Sequence, residues 1–173
     1  MKTEKFNYDL PEHLIAQYPA SQRTESKLLV AIESIQHQVF KEIGNYINKG
    51  DLLILNKTSV IPARLYGEKS TGGKIEILLE RLLSDNQTLT QIRSSRTPKE
   101  GAELVFSFQG QRFLATVEGR QDNFFILNWS DDPKSLFEQY GQIPLPPYMN
   151  RAAEKLDEER YETIYADPNQ KES

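Results

Sequence analysis

The chain has 173 residues, room for one domain or a small pair at a rough prior of about 150 residues per domain. Hydrophobic residues at 38% and charged residues at 27%, with nine Gly and nine Pro, exclude fibrous and wholly disordered classes. Cys is absent, which removes disulfides, thiolate metal sites and Cys nucleophiles, and a net charge of −4 argues against nucleic acid being drawn to the chain as a whole.

In chain order, residues 1–5 lead into no signal-peptide apolar stretch, so a cytoplasmic chain is expected. Phe40, Ile43, Tyr46 and Ile47 recur at helical spacing before the stop signal Lys49-Gly50, which predicts a helix over 40–48. A buried strand is expected over 51–56. Its apolar run is far below the roughly 20 residues that a membrane helix needs, and no membrane partner is expected.

From Arg64 to Trp129 the pattern changes to short apolar or alternating runs over 64–69, 74–83, 88–94, 102–107, 111–118 and 123–129. Gly, Asn, Asp and Pro turns separate them, as in an antiparallel sandwich or small barrel. Asp132 is placed to cap a short helix over 133–139. Pro144, Pro146 and Pro147 then hold 142–148 extended. A polar helix over 154–165 follows, with Leu156, Tyr161, Ile164 and Tyr165 on its apolar side, and then a polar tail over 167–173.

The expected fold class is therefore α/β plus all-β, a six-stranded antiparallel β-barrel over 64–130 inserted into an α/β domain. Residues 1–63 would form the N-terminal part of that domain and 131–173 a return segment. These flanks are thin for an α/β unit, so that domain is expected to be incomplete.

The two histidines, His13 and His37, lie far apart, so no metal is expected. No nucleophile elbow and no dinucleotide fingerprint occur. The stretch 67–75 approaches a phosphate loop, but Ile75 stands where a Mg²⁺-binding hydroxyl belongs, and a hairpin loop is expected there. Residues 64–112 are the only basic part, with eight basic to six acidic groups. Arg93, Arg96 and Lys99 share the acid-free stretch 91–99 and are candidates for nucleic-acid binding, against the plainer alternative of a solvated turn.

Asn56, Thr58 and Arg64 follow the expected strand 51–56, where an α/β sheet presents ligand-binding loops, and are substrate-binding candidates. Tyr148 and Arg151 are two more, because the rigid Pro146-Pro147 would aim a ring and a guanidinium at one spot. The plainer alternatives are a turn for the first group, and an aromatic staple with a surface ion pair for the second.

Three segments carry a family resemblance: LPEHLIAQYPASQRTESKLLV (10–30), GDLLILNKTSVIPARLYGEKSTGGKIEILLERLL (50–83) and IPLPPYMNRAAEKLDEERYETIYA (143–166). In this order they resemble the S-adenosylmethionine:tRNA ribosyltransferase-isomerase (QueA) family of queuosine biosynthesis, across essentially the whole chain. The resemblance implies an α/β catalytic domain with an inserted barrel. It also implies ribosyl transfer from S-adenosylmethionine, a co-substrate with no further cofactor, to 7-aminomethyl-7-deazaguanine in tRNA. The products would be epoxyqueuosine, adenine and methionine.

The sulfonium acidifies the neighbouring C5′ hydrogens, so a general base is required, and His13, Glu76 and Tyr148 all have the chemistry for it. Two positions depart from the family pattern: Ser59 and Lys27 stand where Arg is usual. Family members continue beyond the position of Ser173 with a segment resembling V-A-A-P-T-A-G-L-H-F. A complementing C-terminal segment is therefore an expected partner, and turnover by these residues alone is not expected. The alternatives are a non-catalytic barrel fragment that binds nucleic acid, or an inactive remnant.

Overall fold

A computed structural model describes residues 2–167; the expected polar tail beyond Asp167 lies outside the described residues. The chain divides into two compact units, residues 1–55 and 56–173.

The first unit contains single 3-10 turns at Thr3–Phe6, Glu12–Leu14 and Arg23–Glu25. A two-stranded hairpin follows, β1 (Lys27–Ala31) and β2 (Ile35–Val39), with Leu29 opposite His37. The helix expected from Phe40 is present over Phe40–Tyr46, in the tighter 3-10 form. The strand expected over 51–56 is not: no strand is assigned there, and Leu52 and Ile54 are 85% and 83% exposed. An apolar run becomes a buried strand only when neighbours take up its backbone groups and cover both faces, and no described strand pairs with it. The hairpin itself was not anticipated, because Ile35-Gln36-His37-Gln38-Val39 has too little apolar alternation to signal a strand.

The second unit is built on a closed antiparallel barrel. Its strands are β3 (Arg64–Lys69), β4 (Lys74–Leu82), β5 (Gln87–Ser94), β6 (Glu103–Phe108), β7 (Gln111–Gln121) and β8 (Phe124–Trp129). They run around the barrel in the order β3-β4-β5-β8-β7-β6, and β6 closes onto β3 through Glu68 opposite Val105 and Lys69 opposite Leu104. Six strands are observed where six were expected, each boundary within three residues.

Period-two alternation turns Leu65, Ile75, Ile77, Leu104, Phe106, Ala115, Val117, Phe125, Leu127 and Trp129 into one buried cluster. Two polar residues, Thr88 and Thr90, are also fully buried. The Trp129 indole N–H donates to Thr88 Oγ1 at 2.9 Å, so burial strands neither group. Gly67 is required at the seam: a Cβ there would lie 2.6 Å from both the Val105 carbonyl oxygen and the Phe106 ring.

Helix α1 (Pro133–Tyr140) begins at the expected cap, where the Asp132 carboxylate accepts from the Lys134 and Ser135 amides. It buries Leu136 and Phe137 against the barrel core, and Tyr140 stacks on Phe108 with centroids 4.8 Å apart. The chain then returns to the start of the barrel. Arg64 and Gln142 exchange backbone hydrogen bonds of 3.1 and 2.8 Å, and a Cβ on Gly141 would collide with the Pro62 and Phe137 carbonyls. The proline segment is extended up to a 3-10 turn at Pro147–Met149, and α2 (Lys155–Arg160) is shorter than its apolar spacing suggested.

Candidate functional site

Pairing Arg64 with Gln142 lays residues 145–152 beside the outer face of β3, β4 and β5. On that face the strand period places Arg64 and Tyr66 on β3, Glu76 on β4 and Arg93 on β5, with Tyr66 opposite Glu76 and Glu76 opposite Arg93. A cleft of about 380 Å³ lies between this row and the segment Leu145, Pro146, Pro147, Asn150, Arg151 and Ala152. Rigid prolines form one wall and a charged β-face the other.

Arg64 is held in place. Its Nη2 donates to the Leu145 carbonyl at 3.0 Å, and its Nε lies 2.9 Å from Glu76 Oε1. The ion-pair contact does not align the N–H with the oxygen, so Nε remains a buried donor without a well-directed acceptor. Arg93 is exposed and makes no ion pair among the described residues. It is the group on this face whose charge remains available to an anion.

Arg151 lines the same cleft but is committed elsewhere. Both of its terminal nitrogens donate to Asp157, at 2.6 and 2.7 Å, in a bidentate pair that is partly buried at Arg151 and buried at Asp157. Asp157 also accepts from the Glu154 amide and caps α2. The Arg151 guanidinium is the main cause that holds the Asp157 carboxyl below its ordinary value, against the opposing effect of burial. The Arg151 guanidinium thus orders the return segment.

Other candidates lie apart from the cleft. Asn56 Oδ1 accepts from the Thr58 amide at 2.9 Å in a local turn, both residues are exposed, and neither lines the cleft. The Tyr148 ring is 64% exposed and does not line it either. Ser59 is buried and donates to the Asp167 carbonyl at 3.1 Å, beside the bond from the Asp167 amide to the Lys57 carbonyl. An Arg at position 59 would have to leave that packed place.

The basic stretch 91–99 is divided: Arg93 joins the cleft, Lys99 lines a second one with Arg120, and Arg96 lines neither. Of the general-base candidates Glu76 lines the first cleft, paired with Arg64, and His13 is exposed in the other unit. Tyr66 was missed, although its place two residues after Arg64 on a strand puts both on one face. Among the described residues no group of three or more His, Asp or Glu converges as a metal set, and no helix is long and apolar enough to cross a membrane.

Comparison with known proteins supplies independent findings. A family model described as "Queuosine biosynthesis protein" matches residues 3–173. The chain is 45% identical over 171 residues to an S-adenosylmethionine:tRNA ribosyltransferase-isomerase of Acinetobacter baylyi, covering 97% of this chain and 49% of the relative. It is 44% identical over 169 residues to the protein of that name from Legionella pneumophila, covering 96% and 49%. The chain therefore spans about half the length of the curated relatives it matches. A crystal structure of an S-adenosylmethionine tRNA ribosyltransferase from Thermotoga maritima aligns with 38% identity and a TM-score of 0.40, over 79% of this chain and 48% of that one.

Proposed function

The chain belongs to the queuosine biosynthesis protein family, and from that premise we propose that it forms part of a tRNA ribosyltransferase-isomerase acting with S-adenosylmethionine. In this reading residues 1–63 and 131–173 belong to an α/β catalytic domain, residues 64–130 are its inserted barrel, and a C-terminal segment completes the pocket. The reaction would open the ribose of S-adenosylmethionine through a C5′ carbanion and expel adenine. The aminomethyl nitrogen of 7-aminomethyl-7-deazaguanine in tRNA would then take the ribosyl carbon as methionine leaves, giving epoxyqueuosine.

The observation that carries the reading is the cleft between the Arg64–Glu76–Arg93 face and residues 145–152. It joins two of the three segments in which the family resemblance is strongest. The demands of the substrates match what it holds. Arg93 can take a phosphate or the methionyl carboxylate, and the half-exposed Tyr66 ring is a surface on which a sulfonium can rest. Glu76 keeps Arg64 in place beneath them. Arg151 acts indirectly by fixing the wall that carries Asn150 and the prolines.

The test is adenine release from S-adenosylmethionine in the presence of precursor tRNA, followed by chromatography. The chain alone should release none. The chain mixed with the C-terminal half of a 45%-identical relative should release adenine only when tRNA is present. A silent mixture of two folded, associated pieces would overturn the proposal, and turnover by the chain alone would overturn the need for a completing segment.

A further inference from the structure

The second cleft, about 550 Å³, opens where the β5–β6 connection lies against β7. That connection is tied down: Gly101 donates its amide to the Val117 carbonyl at 2.8 Å, and the Val117 amide donates to Ala102 at 3.0 Å. Lys99 and Glu100 therefore stand on a fixed rim, above a floor of Pro98, Val117 and Phe125.

The opposite rim is made by a β-bulge. The register of β7 on β8 shifts between Val117 and Gly119, so Val117 lies opposite Leu127 but Arg120 lies opposite Phe125. Leu127 and Phe125 both point into the core. The extra residue thus turns Arg120 onto the core-facing side at the end of the barrel, where an ordinary alternation would have sent it outward. Its guanidinium lies over the Phe125 ring, 4.2 Å from the centroid. Phe125 thus backs the cation on its barrel side, and Arg120 remains exposed to solvent on the other. Neither Arg120 nor Lys99 forms an ion pair among the described residues, and a Cβ on Gly119 beside them would meet only open space.

We infer that this barrel-end cleft binds one unpaired nucleotide of a single-stranded RNA segment, its base stacked on the outer face of Arg120 and its phosphate on Lys99. A guanidinium plane backed by an aromatic ring suits a nucleobase, whereas a bare phosphate would not need the stack. Lys99 supplies the phosphate contact. Glu100, on the same rim, accepts from an exocyclic amino group and disfavours a second phosphate. The assignment rests on the reading that the substrate is an RNA, and it deepens that reading by giving the barrel a contact separate from the Arg64–Arg93 cleft.

The experiment measures binding of the full chain to a fluorescent, unstructured RNA heptamer by anisotropy, beside an RNA duplex, inorganic phosphate and precursor tRNA, with folding checked by Trp129 emission. The single strand should bind more tightly than the duplex. Arg120→Ala should weaken it about tenfold, the range of one base stack. Arg120→Lys, which keeps the charge but removes the plane, should weaken it nearly as much. Lys99→Ala should lower the salt slope by about one unit.

Wild-type affinity in a folded Arg120→Lys variant would overturn the stack, and equal affinity for duplex and single strand would overturn the unpaired nucleotide. Loss of heptamer binding in Arg93→Ala, with Arg120→Ala silent, would move the contact to the other cleft and overturn this assignment while leaving the proposed function intact. No binding of tRNA or heptamer by the wild-type chain would overturn this assignment; the adenine-release test judges the proposed function separately.

Discussion

The barrel and the first 55 residues are written in similarly apolar sequence, yet they handle it in opposite ways. In the barrel each strand is paired on both sides, and the inward half of each alternation disappears into a shared core that holds Leu65, Ile77, Leu104, Phe106 and Leu127. Among the described residues of the first unit Val30 is the one buried hydrophobic, while Phe6, Tyr8, Leu14, Ile32, Ile35, Leu52 and Ile54 all remain exposed. A hairpin of two strands has edges on both sides and no second layer, so it cannot bury its own apolar face. Apolar content therefore does not make a core; closure does.

Amide exchange would test this comparison through the largest effect. Barrel amides between Ile75 and Trp129 should open only with the whole fold, at a cost of several kcal/mol, whereas those over 28–55 should exchange at nearly unprotected rates. Equal protection in the two regions would break the comparison.

Truncation of side chains comes next. Phe106→Ala should lower stability by about 3–5 kcal/mol through the cavity it leaves, while Ile54→Ala should stay within about 0.5 kcal/mol in this chain. Denaturant unfolding followed by Trp129 fluorescence distinguishes them, and a large loss at Ile54 would show that its exposed surface is covered after all.

A smaller effect concerns the return segment. Arg151→Ala should loosen α2 by on the order of 2 kcal/mol, because it leaves the Asp157 carboxylate buried without its partner. Because the folded state lowers the Asp157 pKa, the pair's contribution is fully present above about pH 4 and is lost as pH falls through the lowered value. Asp157→Asn should therefore destabilise the segment at pH 7 and flatten its acid sensitivity, as read by limited proteolysis across pH.

The smallest effect is at the cap of α1. Asp132→Ala should cost about 1 kcal/mol, through loss of the bonds to Lys134, Ser135 and the Ser135 hydroxyl. Those bonds also hold the Asp132 carboxyl below its ordinary value, the Ser135 hydroxyl first among them. The difference between wild type and variant in thermal melting should narrow as pH falls through that lowered value.

The barrel was legible because its evidence is local. Alternation over six or so residues and a Gly, Asn or Asp turn after each run are all that define β3 to β8, and the Asp132 cap lies within three residues of the amides it serves. The same local rules failed at 51–56, where the run is as apolar as most barrel strands but has no described neighbour to pair with. They are silent at Arg120, where one inserted residue in β7 reverses which face a side chain takes and leaves no mark in the composition.

The sequence by itself thus determined the barrel, its strand boundaries to within three residues, the helix that follows it and the family. Tertiary structure alone decided which polar residues meet. It brought Arg64 against Gln142 and Leu145, separated Arg93 from Lys99, spent Arg151 on Asp157 and buried Ser59 against Asp167. The reason is physical: strand periodicity is a property of a few consecutive peptide units, whereas these contacts depend on how the closed barrel brings the two ends of its own chain together.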